Sequence, residues 1–181
     1  FTASGICFDE RGFGRFHARY QGRDLGEFTL SVPGIHNISN ALAAIAAVYA
    51  LQLPLEAART GLAAFTGVDR RFQKKGEYRD AVVVDDYAHH PTEIRATLKA
   101  AGQGAYRKVW CVFQPHTYTR TKSLLAEFGE ALSLADHVVL ADIYPAREQD
   151  IYGISSKDLQ AEILQNGTAC EHFPSFEAIE E

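Results

Sequence analysis

The chain has 181 residues, 46% of them hydrophobic and 23% charged, with a net charge of −5. That balance belongs to an ordinary globular fold of one large or two small domains. Both signs of charge are mixed along the chain, which excludes a basic nucleic-acid footprint and a polybasic membrane patch. Cys7, Cys111 and Cys170 are odd in number, far apart and without a CxxC pair. They read as reduced thiols of a cytoplasmic protein rather than a disulfide frame or a zinc site. The alanine-rich run from Asn40 to Leu51 is about 12 residues, too short to span a bilayer. The sequence contains no methionine and begins at Phe1, so we expect an excised piece of a longer chain.

Residues 1–32 alternate in period two. Phe16, Ala18 and Tyr20 interleave with Arg15, His17 and Arg19, and Phe28, Leu30 and Val32 with Glu27, Thr29 and Ser31. The pattern predicts antiparallel strands with one apolar face, joined by a turn over Gln21-Gly22-Arg23-Asp24. After Pro33-Gly34 the spacing of Ile38, Ala41, Leu42, Ile45, Val48 and Tyr49 predicts a helix over 36–52. A second follows over 55–65, with Pro54 at its start. His36, Asn37 and Asn40 fall in or near the first turn of the longer helix, where the simplest role for Asn37 is a cap.

A boundary is expected at Thr66-Gly67-Val68, followed by a polar stretch from Asp69 to Arg79. Strands and helices then alternate: strand 81–86, helix 91–102, strand 107–113, helix 120–134, strand 137–141, helix 156–165 and a short strand near 169–173. This order predicts right-handed crossovers and a mostly parallel, Rossmann-like sheet. The fold class is therefore α/β: an α+β piece of antiparallel strands and two helices, then a Rossmann-like domain. Val82-Val83-Val84 predicts a strand buried on both faces. It runs into Asp85, Asp86, Tyr87, His89 and His90, with Pro91 and Glu93 opening the next helix.

In a parallel sheet the strand-to-helix loops share one rim, where ligands bind. Three such loops are rich in functional groups: 85–90, 114–122 and 142–148. Two readings remain open from chemistry alone. Helix amino ends with Arg120, Lys122 and Arg147 suit an anionic substrate. Alternatively, Asp85, Asp86, His89, His90, His116 and Asp142 could ligate one or two metals for hydrolysis. The adjacent arginines and lysines weigh against a cation, and no metal is expected at these positions. A non-catalytic ligand-binding module would use the same rim. No GxxxxGK[ST] loop, GxGxxG or GxSxG is present, so a phosphate-binding loop is expected upstream of Phe1.

The runs HNISNALAA, GVDRRFQ, VDDYAHHPTEI, FQPHTYTRT and DIYPARE together resemble the Mur ligases of peptidoglycan synthesis, in order and across almost the whole chain. The resemblance implies three domains in a whole protein: a UDP-binding domain, a central ATPase domain and a C-terminal Rossmann-like domain. Residues 1–68 would be the end of the central domain, and 69–181 the C-terminal domain, incomplete at its end. It also implies ATP and Mg2+, the latter held mainly by residues outside this chain, with UDP-N-acetylmuramate and L-alanine as substrates. A family branch that reattaches recycled tripeptide to the same nucleotide sugar shares the DDxAHHPT element.

In such ligases the muramyl carboxylate is activated by phosphoryl transfer, and the amine then displaces phosphate. Carried over by position, His36, Asn37 and Asn40 match the element near the adenine, and Asp86 the acid at the ribose. Arg71 matches the arginine at the ATP phosphates. Tyr87, His89 and Arg120 match residues at the muramyl and amino-acid end. Arg71 and His89 are the catalytic candidates, and Arg147 is a further substrate-binding candidate. Thr117 departs from the pattern, since many family members have arginine there.

Overall fold

The computed structural model describes residues 1–180. It forms two compact units, one of Phe1–Tyr87 with Lys99–Ala105 and the other of Ala88–Leu98 with Tyr106–Glu181.

The first unit opens with an antiparallel meander, β1 (Thr2–Phe8), β2 (Phe13–Tyr20) and β3 (Arg23–Pro33). Tyr20 pairs with Arg23, so the β2–β3 turn is the two-residue Gln21-Gly22, with φ of 48° and 83°. Two successive positive φ values give the turn whose twist matches paired strands, and glycine adopts the second without strain. The alternation expected from the sequence places Phe16, Ala18, Phe28, Leu30 and Val32 inward. Phe16 and Phe28 face each other across the ladder, with ring centroids 6.0 Å apart.

That face is covered by α1 (Ile35–Ala50) through Ile38, Ala41 and Ile45, and by α2 (Leu55–Ala64) through Ala58. On α2, Arg59 lies 4.5 Å over the Phe28 ring and donates to the carbonyls of Leu25 and Glu27. A planar cation with several donors thus ties the helix to β3 through stacking and hydrogen bonds together.

The polar stretch after Val68 contains a strand that hydrophobic patterning does not reveal. β4 (Gln73–Tyr78) pairs antiparallel with β5 (Ala81–Asp85) in a separate two-stranded sheet. Its turn, Arg79-Asp80, again has two positive φ values, 47° and 67°. This corrects the expectation of a strand covered on both faces within the parallel sheet. Val83 is exposed while Val82 and Val84 are half-buried. β-branched residues favour extended backbone in a hairpin as well as in a buried parallel strand, and composition cannot separate the two.

The second unit holds the parallel sheet in the order β6 (Trp110–Phe113), β7 (His137–Leu140), β8 (Ala169–His172). The helix expected over 91–102 is α3 (Pro91–Gly102). The one expected over 120–134 is two helices, α4 (Tyr118–Ser123) and α5 (Leu125–Leu132), broken at Leu124 with φ −121°. α6 (Ser156–Gln165) starts with a reciprocal box in which the Ser155 N–H donates to Asp158 Oδ2 at 2.8 Å. A short α7 (Phe176–Glu180), not expected from the pattern, follows β8. Ile94, Leu98, Phe113, Phe128, Leu132, Val138, Leu140, Leu159 and Ile163 form one core.

Phe128 is fully buried, with its ring 5.7 Å from that of Phe113. Phe128→Ala removes the centre of this core and should cost about 3–5 kcal/mol. The denaturant midpoint measures this, and an unchanged midpoint would refute the assignment of that ring to the core.

Candidate active-site residues

In the first unit, two segments distant in sequence are laced into one structure. Asp86 Oδ2 accepts from the Phe72 N–H at 2.8 Å, and the Tyr87 N–H donates to the Arg70 carbonyl at 2.8 Å. Arg70 Nε lies 3.7 Å from Asp85 Oδ2, and its guanidinium is 4.6 Å from the Tyr87 ring centroid. Within the turn, Gln73 Nε2 donates to Asp69 Oδ1 at 2.9 Å and Gln73 Oε1 accepts from the Arg70 N–H at 3.1 Å. Arg70 and Phe72 both have positive φ, 57° and 48°. Left-handed backbone at two side-chain-bearing residues is costly and persists where its surroundings hold it. The Asp86 carboxylate and the Gln73 side chain supply that hold. Arg71, between the two strained residues and exposed, is thereby fixed at the main chain beside the Asp86 segment.

His36 belongs to the same assembly electrostatically. Burial pushes its imidazole below the ordinary value of 6.5, while the charge of Asp86 pulls it back up. The residue before α1 is Gly34, with φ 96°, and a Cβ there would lie 2.9 Å from Ala100 Cβ and 2.7 Å from His36 Cε1. Only glycine leaves the imidazole its place.

The capping role for Asn37 is overturned, because Asn37 is already inside the helix and no side chain caps that end. Its Nδ2 donates to the Pro33 carbonyl at 2.8 Å, and its Oδ1 accepts from Asn40 Nδ2 at 3.0 Å. An imidazole neutral at pH 7, two amides and a carboxylate form a mixed donor and acceptor set. Such a set is able to hydrogen-bond a heterocycle and a ribose, and Arg71 follows in the adjoining turn as a planar cation of the kind that suits phosphate.

In the second unit the rim is built by backbone pairing that continues past the strand ends. His116 and Tyr144 form a parallel bridge: the Tyr144 N–H donates to the Pro115 carbonyl at 2.8 Å and the Thr117 N–H to the Tyr144 carbonyl at 2.9 Å. Gln114 Nε2 donates to the Asp142 carbonyl at 3.1 Å, and His172 Nε2 is 2.7 Å from Asp142 Oδ1. Thr117 precedes α4 with φ 69°, and its carbonyl accepts from the fully buried Thr121 hydroxyl at 2.7 Å.

Arg120, one turn in, has a buried Nη1 without a hydrogen-bond partner among the described residues, as does His116 Nδ1. A guanidinium N–H withdrawn from water and left unpaired is costly, so it marks a place prepared for an acceptor, best an anionic one. Arg147 is exposed on the neighbouring loop. At the start of α3, Glu93 Oε2 accepts from the His89 N–H at 3.1 Å and lies 3.5 Å from His89 Nδ1, which fixes the histidine ahead of Pro91.

The candidates thus fall into two groups. His36, Asn37, Asn40, Arg71, Asp86 and Tyr87 lie in the first unit, and His89, Arg120 and Arg147 in the second. The expectation of three loops on one sheet rim is corrected: those at 114–122 and 142–148 share the parallel sheet, whereas the loop at 85 leaves the two-stranded sheet. Sequence reasoning missed the pairing of Arg70 with Asp85 and Tyr87, and the attachment of Glu148 to Thr119, at 2.8 Å across 29 residues. Nothing in local spacing signals such contacts.

Burial pushes the Cys111 thiol up to about 12 and that of Cys170 to about 11. Neither would act as a nucleophile at neutral pH. No group of three or more histidine, cysteine, aspartate or glutamate residues gathers as a metal site among the described residues. No described helix is long and apolar enough to cross a membrane.

The link between His36 and Asp86 is measurable. By proton NMR, His36 should titrate below 6.5, and Asp86→Asn should lower its midpoint further by removing the charge that favours the imidazolium. Since folding depresses this pKa, the neutral form is favoured. Its contribution to stability is complete above 6.5 and is lost as pH falls from there through the folded value. An Asp86→Asn variant with an unchanged His36 midpoint would break the link.

Comparison with known proteins adds an independent line. The family described as "Mur ligase, glutamate ligase domain" matches residues 70–181, more than half of the chain. The UDP-N-acetylmuramate–L-alanine ligase of Agathobacter rectalis is 53% identical over 180 residues, covering 99% of this chain and 39% of that protein. The enzyme of the same name from Acetivibrio thermocellus is 52% identical, over 99% of this chain and 38% of its own. Among solved structures, the UDP-N-acetylmuramate-alanine ligase MurC of Thermotoga maritima superposes with a TM-score of 0.78 at 31% identity. The match covers 94% of this chain and 36% of that one. A murein peptide ligase of Psychrobacter arcticus gives 0.64 at 28% identity, over 98% and 36%. The chain therefore spans about two fifths of the length of the curated relatives it matches. On this evidence the chain belongs to the Mur ligase family.

Proposed function

We propose that this chain is part of an ATP-dependent ligase that joins L-alanine to UDP-N-acetylmuramate in peptidoglycan synthesis, acting in the cytoplasm in cell-wall biogenesis, cell shape and division. Residues 1–68 belong on this reading to the ATP-binding domain and 69–181 to the C-terminal ligase domain. His36, Asn37 and Asn40 hold the purine and Asp86 the ribose. Arg71 meets the phosphates, where a planar guanidinium stabilises the charge that develops during phosphoryl transfer. Tyr87, His89, Arg120 and Arg147 face the muramyl carboxylate and the amino acid. ATP supplies the phosphoryl group that makes the carboxylate reactive, and Mg2+ is held mainly by residues outside this chain.

The observation that carries this reading is the buried, unpartnered guanidinium nitrogen of Arg120 in the FQPHTYTRT loop. It is what a site for a carboxylate needs before the carboxylate arrives. The likeness to a murein peptide ligase favours a second reading, in which the amine comes from a recycled tripeptide. A metal-dependent hydrolase is the weaker reading, because arginines and lysines stand beside its candidate ligands in the same loops.

The full-length protein, given ATP, Mg2+ and UDP-N-acetylmuramate, should release phosphate only when L-alanine is added, while this chain alone should release none. Dependence on tripeptide instead would select the second reading, and robust turnover by the chain alone would refute the division of labour. In the full-length protein, Arg120→Ala removes a charge-assisted hydrogen bond of about 1.5–3 kcal/mol, so KM for the nucleotide sugar should rise roughly 10- to 100-fold. Lost stability with an unchanged KM would make Arg120 a structural residue.

A further inference from the structure

Arg120 is only as well placed as the first turn of α4, and that turn starts badly. Thr117 is β-branched and sits at φ 69°, ψ 144°, a conformation with a steric cost for such a residue. Its hydroxyl accepts from the Arg120 N–H at a long 3.4 Å. The other amides at that end need an acceptor from elsewhere, since the first N–H groups of a helix have no partner inside it.

That acceptor comes from the loop after β7. Glu148 Oε2 accepts from the Thr119 N–H at 2.8 Å. This bond pushes the carboxyl below the usual range, and the hydroxyls of Thr119 and Thr117 and the amide of Tyr118 act in the same direction. Several donors of one short segment, 117–119, therefore converge on one carboxylate contributed from 29 residues away. The loop that brings it is anchored to the same segment through the Tyr144 pair with Pro115 and Thr117.

We propose that Glu148 is a positioning residue: by fastening the start of α4 to the loop after β7, it holds Arg120 where the substrate carboxylate binds. Nothing in the family comparison assigns it this part, and the chemistry suffices. An anionic acceptor makes stronger bonds to backbone N–H groups than a neutral one, and it also opposes the positive end of the helix dipole. The proposal rests on the reading of Arg120 given above, and its test separates the two.

The test uses the full-length protein with Glu148→Ala, Glu148→Gln, Arg120→Ala and the Glu148→Ala/Arg120→Ala pair. Glu148→Ala should raise KM for UDP-N-acetylmuramate about tenfold, with kcat changed less. Glu148→Gln keeps the shape and one acceptor oxygen, and should fall between Glu148→Ala and the unaltered protein. In the Arg120→Ala background, Glu148→Ala should add nothing further to KM. Hydrogen exchange should show the Tyr118 and Thr119 amides opening faster in both Glu148 variants. If Arg120→Ala raises KM and Glu148→Ala does not, or if the two effects simply multiply, the positioning role is overturned. If Arg120→Ala itself leaves KM unchanged, the role of Arg120 fails instead, and faster exchange at Tyr118 and Thr119 would leave Glu148 as a fold clamp only.

Discussion

Two main-chain hydrogen bonds fix where the candidate groups of the second unit stand: Tyr144 N–H to Pro115 carbonyl and Thr117 N–H to Tyr144 carbonyl. They carry parallel pairing past the last residues of β6 and β7, so that two loops leave the sheet as one rigid pair. A loop that merely followed its strand would spend its amides on water and sample many conformations. Here the backbone of each loop satisfies the other, and the rings of His116 and Tyr144 pack together with centroids 5.4 Å apart. His116 Nδ1 and Arg120 Nη1, in or beside these loops, are buried without a hydrogen-bond partner among the described residues. They are costs that a well-paired backbone can sustain.

The first unit solves a similar problem by a different route. Its turn at 69–73, which carries the candidate Arg71, contains two residues in left-handed backbone. Side chains hold it: Asp86 to Phe72, Gln73 to both Asp69 and Arg70, and Arg70 stacked toward Tyr87. The same carboxylate that stabilises the turn also sets the charge felt by His36. Asp86 therefore links local strain to the electrostatics of the site, and its removal would be felt in both.

Much of the architecture was legible in the sequence because it rests on patterns that physics imposes locally. Period-two alternation placed Phe16, Phe28 and Leu30 inward, and period 3.6 placed Ile38, Ala41 and Ile45 on one stripe. Pro91 marked the start of α3, and the span 156–165 matched α6. What was not legible depends on long-range choice. β4 reads as Gln-Lys-Lys-Gly-Glu-Tyr, without an apolar face, and is a strand only because β5 supplies its hydrogen bonds. The valines of β5 suit either partner. The break at Leu124 between α4 and α5 leaves the apolar spacing intact and so escapes detection. Of the candidate site, residue types were visible in the five motifs. The attachments that aim them, such as Glu148 on Thr119, were not.

The charge of the chain acquires a meaning once its arginines are located. With a net charge of −5, this chain has no positive overall field to draw in an anion, so any recognition of one by it must be local. Arg59 is spent on the Phe28 ring and two carbonyls, and Arg70 on Asp85 and Tyr87. Arg120 differs from both, since its buried Nη1 has no hydrogen-bond partner among the described residues. Arg59 and Arg70 have partners within the fold, and Arg120 Nη1 has none among the described residues. On the proposed reading its partner is one that this chain does not itself provide, met at the end of a helix whose first turn is fastened from the adjacent loop.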